Sequence, residues 1–327
     1  MGRRMFVVAV VLLLLLPVAL MPLHIDMANH QAAAATAGMD ERLALRTALI
    51  TGRDKLLALI GESGSEQVIR GKGMLYFDEE MPDYLGRSAL TEAELTTLAE
   101  ELTKLSDALA EENRSLVVLL APNKSSVYPE AVPARYVPSN EPSNLARLQE
   151  ALDARGVTYL DALAILLAGK GQGQLYYTND THWNARGAGL IYRALMDELA
   201  LEAPYGEMTF SEGKAGDLIV MAQPGALPVE ADAVPDIQRR YRTARPMRSL
   251  SDMRIETMSD AGTPSLLVVR DSFGEGLFPY LANSVSRMVY SRVYEDVLGQ
   301  AREAEAEIVV LEIVERNIGT LRVGSQT

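Results

Sequence analysis

Apolar and polar positions divide the chain into short apolar runs that alternate with amphipathic segments. In the amphipathic segments apolar residues recur every three or four positions, which predicts helices; the unbroken apolar runs predict strands. Helices are predicted over residues 43–60, 91–113, 143–155, 185–201 and 301–307, and strands over 116–120, 157–160, 266–269 and 308–314. Residues 71–77 predict a strand or a buried turn, and an apolar run at 277–281 follows a turn.

This alternation predicts an α/β domain. Thr91 and Glu94 have the spacing of a capping box, which marks the start of a helix. Residues 116–120 are apolar without interruption, which is typical of a strand buried on both faces. Strands that alternate with helices at this spacing indicate a parallel sheet covered on both sides. In such sheets, functional sites form at the carboxyl ends of the strands.

The N-terminus has the pattern of an export signal. Arg3 and Arg4 precede the uncharged residues 5–23, and a charged region before an apolar stretch is typical of a signal peptide or a retained signal anchor. Pro17 and Pro22 favour a signal peptide. The small-residue sites at 32–37 lie far beyond the apolar run and favour a retained anchor. The charge distribution around the run predicts that the rest of the chain is exported.

We therefore divide the chain into three predicted parts. Residues 1–23 are a signal peptide or signal anchor, 24–40 a low-complexity linker, and 41–327 one folded domain. The expected location is the periplasm or the outer face of the cytoplasmic membrane, with the apolar segment as the contact to the membrane.

Composition narrows the chemistry. The 327 residues carry a formal net charge of −13, which argues against a nucleic-acid partner because phosphates require a basic face. Cysteine is absent, which excludes disulfides, cysteine nucleophiles and thiolate metal sites. Of three histidines, His24 and His30 lie near the apolar segment, so histidine chemistry in the folded part depends on His182.

The first candidate cluster spans residues 176–184. It contains His182 and Trp183, with Asp180 two positions before the histidine. A histidine that acts as a base needs a partner that fixes its tautomer, and Asp180 could supply it. The alternative is that Asp180 caps the following helix and His182 is an ordinary core residue.

The second cluster spans residues 268–276. An apolar strand leads directly into Asp271 and Ser272, then into a glycine-containing turn. A strand–turn–helix arrangement can present a serine hydroxyl at a sheet edge and backbone amides for an oxyanion. The alternative is that Asp271 or Ser272 is an ordinary helix cap.

Five segments together resemble one known family, the AlgJ/AlgX-type alginate O-acetyltransferases, also called the DHHW family. The resemblance covers about residues 40–320 and rests on Gly71–Phe77, Ala121–Pro129, Asp180–Trp183, Arg270–Phe273 with Pro279–Leu281, and Glu315–Asn317. It implies an SGNH-hydrolase-like three-layer fold with a parallel central sheet. Thr181 stands where the family name suggests a histidine, and we expect no counterpart of the carbohydrate-binding module of AlgX-like members.

The resemblance also implies roles for particular residues. Ser272 is the expected nucleophile, His182 the base and Asp180 the orienting acid. Further candidates for binding substrate are Asn123, Lys124, Arg270 and Trp183. No cofactor or metal is expected.

The implied function is an extracytoplasmic O-acetyltransferase that moves an acetyl group through a serine acyl-enzyme onto a polysaccharide hydroxyl. Its expected partners are the polysaccharide acceptor and a membrane-bound O-acyltransferase as acetyl donor. Two alternatives remain open from the residues: a carbohydrate acetylesterase with the same triad, and a non-catalytic subunit of a polysaccharide secretion complex.

Overall fold

The computed structural model describes residues 65–204, 208–211, 216–222, 230, 232–235, 237–262 and 264–323, together with Gly52. The apolar segment 1–23, the linker 24–40 and the predicted helix 43–60 lie outside these residues and stay predictions. Within the described part, no helix is long and apolar enough to cross a membrane.

The centre of the described fold is a seven-stranded sheet. The strands of this part of the chain are β1 (Val68–Arg70), β2 (Leu75–Phe77), β3 (Ser115–Ala121), β4 (Tyr159–Leu160), β5 (Met208–Ser211), β6 (Asp232–Pro235), β7 (Tyr241–Thr243), β8 (Arg254–Ser259), β9 (Ser265–Val269), β10 (Arg287–Ser291) and β11 (Ile308–Val314). The central sheet has the order β4-β3-β11-β9-β10-β8-β7, while β1 pairs with β2 and β5 pairs with β6 in separate two-stranded sheets.

Helices cover both faces of the central sheet. The described α-helices are α1 (Met81–Tyr84), α2 (Glu92–Glu111), α3 (Lys124–Val127), α4 (Asn144–Asp153), α5 (Ala162–Gly169), α6 (Ala185–Glu198), α7 (Asp217–Ala222), α8 (Phe278–Ser284) and α9 (Val297–Glu303). Successive strand residues alternate between two cores, as the pleat requires. One core contains α2, α4 and α9, and the other contains α5, α6 and α8.

The fold confirms the three-layer α/β prediction but corrects the expected parallel sheet. β4, β3, β11, β9 and β10 are parallel, whereas β8 pairs antiparallel with β10 and β7 pairs antiparallel with β8. The sheet is therefore mixed. Four of the six residues of β8 are polar and only two of its residues are buried, so it lacks the continuous apolar signal of a central strand.

Local predictions succeed where a cap or a long apolar run marks the element. The Thr91 hydroxyl accepts a hydrogen bond from the Glu94 amide, and the Glu94 carboxylate accepts one from the Thr91 amide. The prediction for the last helix is displaced by four residues. This helix spans Val297–Glu303, because the Asp296 carboxylate accepts the Gly299 amide and so caps the start of the helix. The strand predicted at 157–160 is shorter in the structure, where it is β4. The helix α5 was not predicted.

Three adjacent parallel strands end at the same edge of the sheet. β3 leads to Asn123, β11 leads to Glu315, and β9 leads to Ser272. A β-bridge between Tyr176 and Trp183 folds the segment that contains His182 back on itself. The Tyr176 hydroxyl donates to the Pro122 carbonyl just after β3, which places this segment at the same edge.

Candidate functional site

Ser272, His182 and Asp180 form one hydrogen-bonded chain. Nε2 of His182 lies 2.8 Å from the Ser272 hydroxyl oxygen, and Nδ1 lies 2.7 Å from Oδ1 of Asp180. Serine and histidine are 90 positions apart in the sequence, so only the fold brings them together. This is the arrangement in which a histidine takes a proton from a serine while a carboxylate fixes the imidazole tautomer.

Residues 176–184, the acid loop, are held by their own backbone and by the indole of Trp183. The Tyr177 amide donates to the His182 carbonyl, and the Asn184 side chain caps α6 through the Gly187 amide. The Trp183 indole N–H donates to the Phe273 carbonyl at 3.0 Å. That bond joins the acid loop to the turn that carries Ser272.

Asp180 is a buried, ionised carboxylate. Oδ1 accepts from the backbone amide and Nδ1 of His182, and Oδ2 accepts from the Asp217 amide at 3.0 Å. Burial alone would raise the pKa of Asp180. The hydrogen bonds and charge of His182, together with the Asp217 amide, instead hold this pKa well below its usual range.

Residues 270–276, the nucleophile turn, are fixed by two carboxyl groups behind the serine. The Asp271 carboxylate accepts from the amides of Phe273 and Val314. One oxygen of Glu312, on β11, accepts from the amides of Asp271 and Gly274. Thus the amides on both sides of Ser272 already donate to carboxyl groups.

Glu312 differs from Asp180 in its charge state. It is fully buried, and its second oxygen, Oε1, has no hydrogen-bond donor among the described residues. Burial raises the pKa of Glu312 far above its usual range, and the neighbouring Asp271 carboxylate raises it further. An ionised Glu312 would leave a charged, buried oxygen without a donor, so the raised pKa and the surroundings of Oε1 both indicate a protonated side chain.

A cleft of about 540 Å³ opens beside the triad. Ser272 and His182 lie on it, and its walls include the exposed apolar side chains of Val220 and Met221 on α7. The cleft is large enough for an acyl group together with part of a second molecule.

The four predicted substrate-binding residues are all buried. The Lys124 ammonium donates to the carbonyls of Leu75 and Asp180, and burial lowers its pKa to about 8. The Asn123 backbone amide donates to Glu315. Neither residue lines the cleft. Both hold the acid loop and the end of β3 in place, and their contact with substrate stays a prediction.

Arg270 and Trp183 also bind protein groups. Arg270 is completely buried, and its guanidinium donates to the carbonyls of Leu250 and Asp271. These contacts brace the nucleophile turn, and the expected contact of Arg270 with substrate stays a prediction. Trp183 borders the cleft, but its only N–H is already bound to Phe273.

Two functional candidates were missed by the sequence analysis, Asp217 and Glu312. Asp217 lies 37 positions after Asp180, and nothing in its local sequence sets it apart from a helix cap. Glu312 did offer a signal, since it is the single charged residue in the otherwise apolar strand β11. A buried strand that keeps one carboxyl group indicates a partner for that group.

Asp180, His182 and Asp217 also bring three atoms that could bind a metal ion within 4.8 Å of one another. Both oxygens of Asp180 already accept hydrogen bonds, and Nδ1 of His182 is committed to Asp180. A metal ion there would have to break the contact that orients the imidazole. The donor set therefore fits a proton-transfer cluster better than a metal centre.

Comparison with known proteins gives a consistent result. Residues 68–306 match the family model described as the SGNH hydrolase-like domain of the acetyltransferase AlgX. A curated relative, the probable alginate O-acetylase AlgJ of Pseudomonas syringae pv. tomato, is 33% identical over 147 residues. That match covers 43% of this chain and 35% of the relative, so it spans about a third of that protein's length.

Solved structures show the same fold at low identity. PatB1 of Bacillus cereus matches with a TM-score of 0.58 at 17% identity, covering 77% of this chain and 96% of that one. The O-acetyltransferase domain of Pseudomonas putida AlgJ matches with a TM-score of 0.51 at 19% identity, covering 77% and 92%. A DHHW family protein of Eubacterium siraeum matches with a TM-score of 0.55 at 12% identity, covering 78% and 94%.

Proposed function

The chain belongs to the family of SGNH hydrolase-like domains of the acetyltransferase AlgX, and on that premise we propose that it is a serine-dependent O-acetyltransferase. The observation that carries the proposal is the chain of contacts from the Ser272 hydroxyl through His182 to Asp180. A serine hydroxyl becomes an effective nucleophile only when a positioned base takes its proton.

The first half-reaction forms an acyl-enzyme. Nε2 of His182 takes the hydroxyl proton as the Ser272 oxygen attacks the carbonyl carbon of the acetyl donor. The bond to the donor's leaving group then breaks, and His182 returns the proton to that group. Asp180 keeps Nδ1 protonated and stabilises the imidazolium that forms in between.

The second half-reaction transfers the acetyl group. An acceptor hydroxyl gives its proton to His182 and attacks the acyl carbon, which forms the new ester. The Ser272 oxygen leaves and regains its proton from His182. Because the amides of Asp271, Phe273 and Gly274 already donate to carboxyl groups, we assign the Ser272 amide as the oxyanion donor of this turn.

We propose a polysaccharide hydroxyl as the acceptor. The name of the curated relative, a probable alginate O-acetylase, supports this substrate class, and the family description supports acetyl transfer. We further propose that the protein acts outside the cytoplasm, that residues 1–23 direct or anchor it there, and that a membrane-bound O-acyltransferase supplies the acetyl group. The charged N-terminus and its apolar run support export.

The test uses the full-length protein in mild detergent with p-nitrophenyl acetate, with and without an oligosaccharide acceptor. We expect release of p-nitrophenol and, with acceptor present, an acetylated oligosaccharide detected by mass spectrometry. Ser272→Ala should abolish both. The matched control is Ser106→Ala, which removes a hydroxyl from α2 in the helical layer across the sheet.

Each other outcome points to a different function. Acetate release without acetylated oligosaccharide, across several acceptors, would identify an acetylesterase. Equal inactivity of the wild type and Ser272→Ala towards acyl donors would contradict the serine mechanism and favour a non-catalytic subunit.

A further inference from the structure

Asp217 places a second carboxylate beside the catalytic imidazole. It is the first residue of α7, and one of its oxygens accepts the Thr181 amide at 2.7 Å. Its other oxygen lies 3.8 Å from Nδ1 of His182. The imidazole therefore faces two carboxylates, Asp180 and Asp217.

The position of Asp217 is fixed by close backbone contacts. The Asp217 amide donates to Asp180, and the Ile219 amide donates to the Asn179 carbonyl at 3.1 Å. A Cβ atom on Gly216 would lie 2.1 Å from the Asn179 carbonyl oxygen, so only glycine permits this approach. The segment 216–219 is thus built against the acid loop.

The two faces of α7 have different environments. Leu218, Ile219 and Ala222 are buried in one apolar cluster with Val68 and Leu75 of the β1-β2 hairpin. Val220 and Met221 are exposed and line the cleft beside Ser272. The same short helix therefore forms part of the cleft wall and carries a charge to the triad.

We propose that Asp217 is a positioning residue for His182. The Asp217 carboxylate stabilises the charged form of His182 during proton transfer, and the Asp217 backbone amide holds Asp180. The catalytic purpose of this role rests on the proposed acyl transfer. The effect of the Asp217 charge on the imidazole does not depend on that reaction. The physical basis is that a negative charge near an imidazolium favours the protonated ring. His182 and Asp217 are both partly open to the cleft, so water attenuates the effect.

Other charged groups surround the same ring. The acid loop contributes Asp180. The nucleophile turn contributes the uncharged Ser272 hydroxyl and the Glu275 carboxylate, which lies at the cleft wall. The Lys124 ammonium lies behind Asp180, bound to its carbonyl. Glu230 binds the amides of Thr178 and Asn179 at the start of the loop.

The test replaces the charge and keeps the shape. In Asp217→Asn the backbone amide and one side-chain oxygen acceptor remain, while the negative charge is lost. We expect NMR titration of the full-length protein to show a lower His182 midpoint in Asp217→Asn than in the wild type. His182→Gln identifies the resonance, because His24 and His30 also titrate in this chain.

A matched control removes a charge of the same kind elsewhere. Asp107 is exposed on α2, and Asp107→Asn should leave the His182 midpoint unchanged. We also expect the acidic limb of kcat/KM for p-nitrophenyl acetate to move with the midpoint in Asp217→Asn. A purely structural residue would change the rate without moving either curve.

The outcomes separate this proposal from the proposed function. An unchanged His182 midpoint in folded Asp217→Asn overturns the role of Asp217, whatever the enzyme does. A shifted midpoint in a protein that transfers and hydrolyses no acyl group supports the role of Asp217 and counts against the proposed function alone.

Discussion

The acid loop and the nucleophile turn each depend on a buried carboxyl group, and the two groups are in opposite charge states. Asp180 is ionised, with a pKa held low by His182 and the Asp217 amide against the effect of burial. Glu312 is neutral, because burial and the nearby Asp271 carboxylate raise its pKa far above the usual range. Both lie at one edge of the same sheet.

The difference comes from the number of donors that replace water. Asp180 uses both oxygens and receives three hydrogen bonds, one of them from the imidazole. Glu312 receives two amides on one oxygen, and its other oxygen has no donor among the described residues. A buried carboxyl group stays charged where donors and a cation compensate for lost hydration. The ionised Asp180 supports proton transfer through His182, and the neutral Glu312 holds the backbone of the nucleophile turn.

The strongest test of this contrast is Asp180→Asn. An amide cannot stabilise the imidazolium and favours the wrong ring tautomer, so we expect kcat/KM for p-nitrophenyl acetate to fall on the order of 10³- to 10⁴-fold. Thermal unfolding should confirm that the variant is folded, and Asp107→Asn serves as the control for a surface change. Wild-type activity in Asp180→Asn would contradict an ionised acid at this position.

The next largest effect is expected for Glu312→Ala. This change leaves the buried amides of Asp271 and Gly274 without their acceptor, at about 1–3 kcal/mol each. We expect a loss of about 4 kcal/mol in the free energy of unfolding, measured by urea denaturation. If the loss stayed below about 1 kcal/mol, Glu312 would not be holding the nucleophile turn.

Glu315 extends the comparison to a carboxyl group at the end of β11. Burial raises its pKa to about 7, although the Ser126 hydroxyl and the Asn123 amide donate to it. Its stabilising contribution is fully present below the unfolded pKa of about 4.3 and is lost as pH rises through about 7. The wild type should lose about 3 kcal/mol through this group over that range.

Glu315→Gln removes this pH dependence and keeps an oxygen acceptor. The difference in unfolding free energy between the variant and the wild type should move in favour of the variant between pH 4 and pH 8. Urea denaturation across this range measures it. Parallel curves for the two proteins would mean that Glu315 titrates in the native state as it does in the unfolded chain.

The smallest effect is expected for Glu312→Gln, which tests most directly the difference in charge between Asp180 and Glu312. A neutral Glu312 resembles glutamine in shape and hydrogen bonding, so Glu312→Gln should change the unfolding free energy by less than about 1 kcal/mol. Its kcat/KM should stay within a few fold of the wild type, in contrast to Asp180→Asn. A loss comparable to that of Glu312→Ala would show that Glu312 is ionised.

The sequence predicted the layers of the fold and singled out Ser272, His182 and Asp180, which the fold brings into contact, but Asp217 and Glu312 were missed. Long apolar runs and the Thr91 capping box depend on local physics, so β3, β9, β11 and α2 were predicted near their observed bounds. The antiparallel edge was missed because four of the six residues of β8 are polar. Lys124 and Arg270 were named as candidate substrate contacts from the family resemblance, whereas the fold buries both against backbone carbonyls.

By itself, the sequence determined that histidine chemistry in the folded part depends on His182, that an aspartate lies two residues before it, and that Ser272 follows an apolar strand. Those facts follow from composition and short-range pattern. Only the tertiary structure decided that Ser272 meets His182 across 90 positions, and that Asp217 joins Asp180 at the imidazole. It also decided which carboxyl groups keep their charge, because ionisation depends on the donors that surround a group in space.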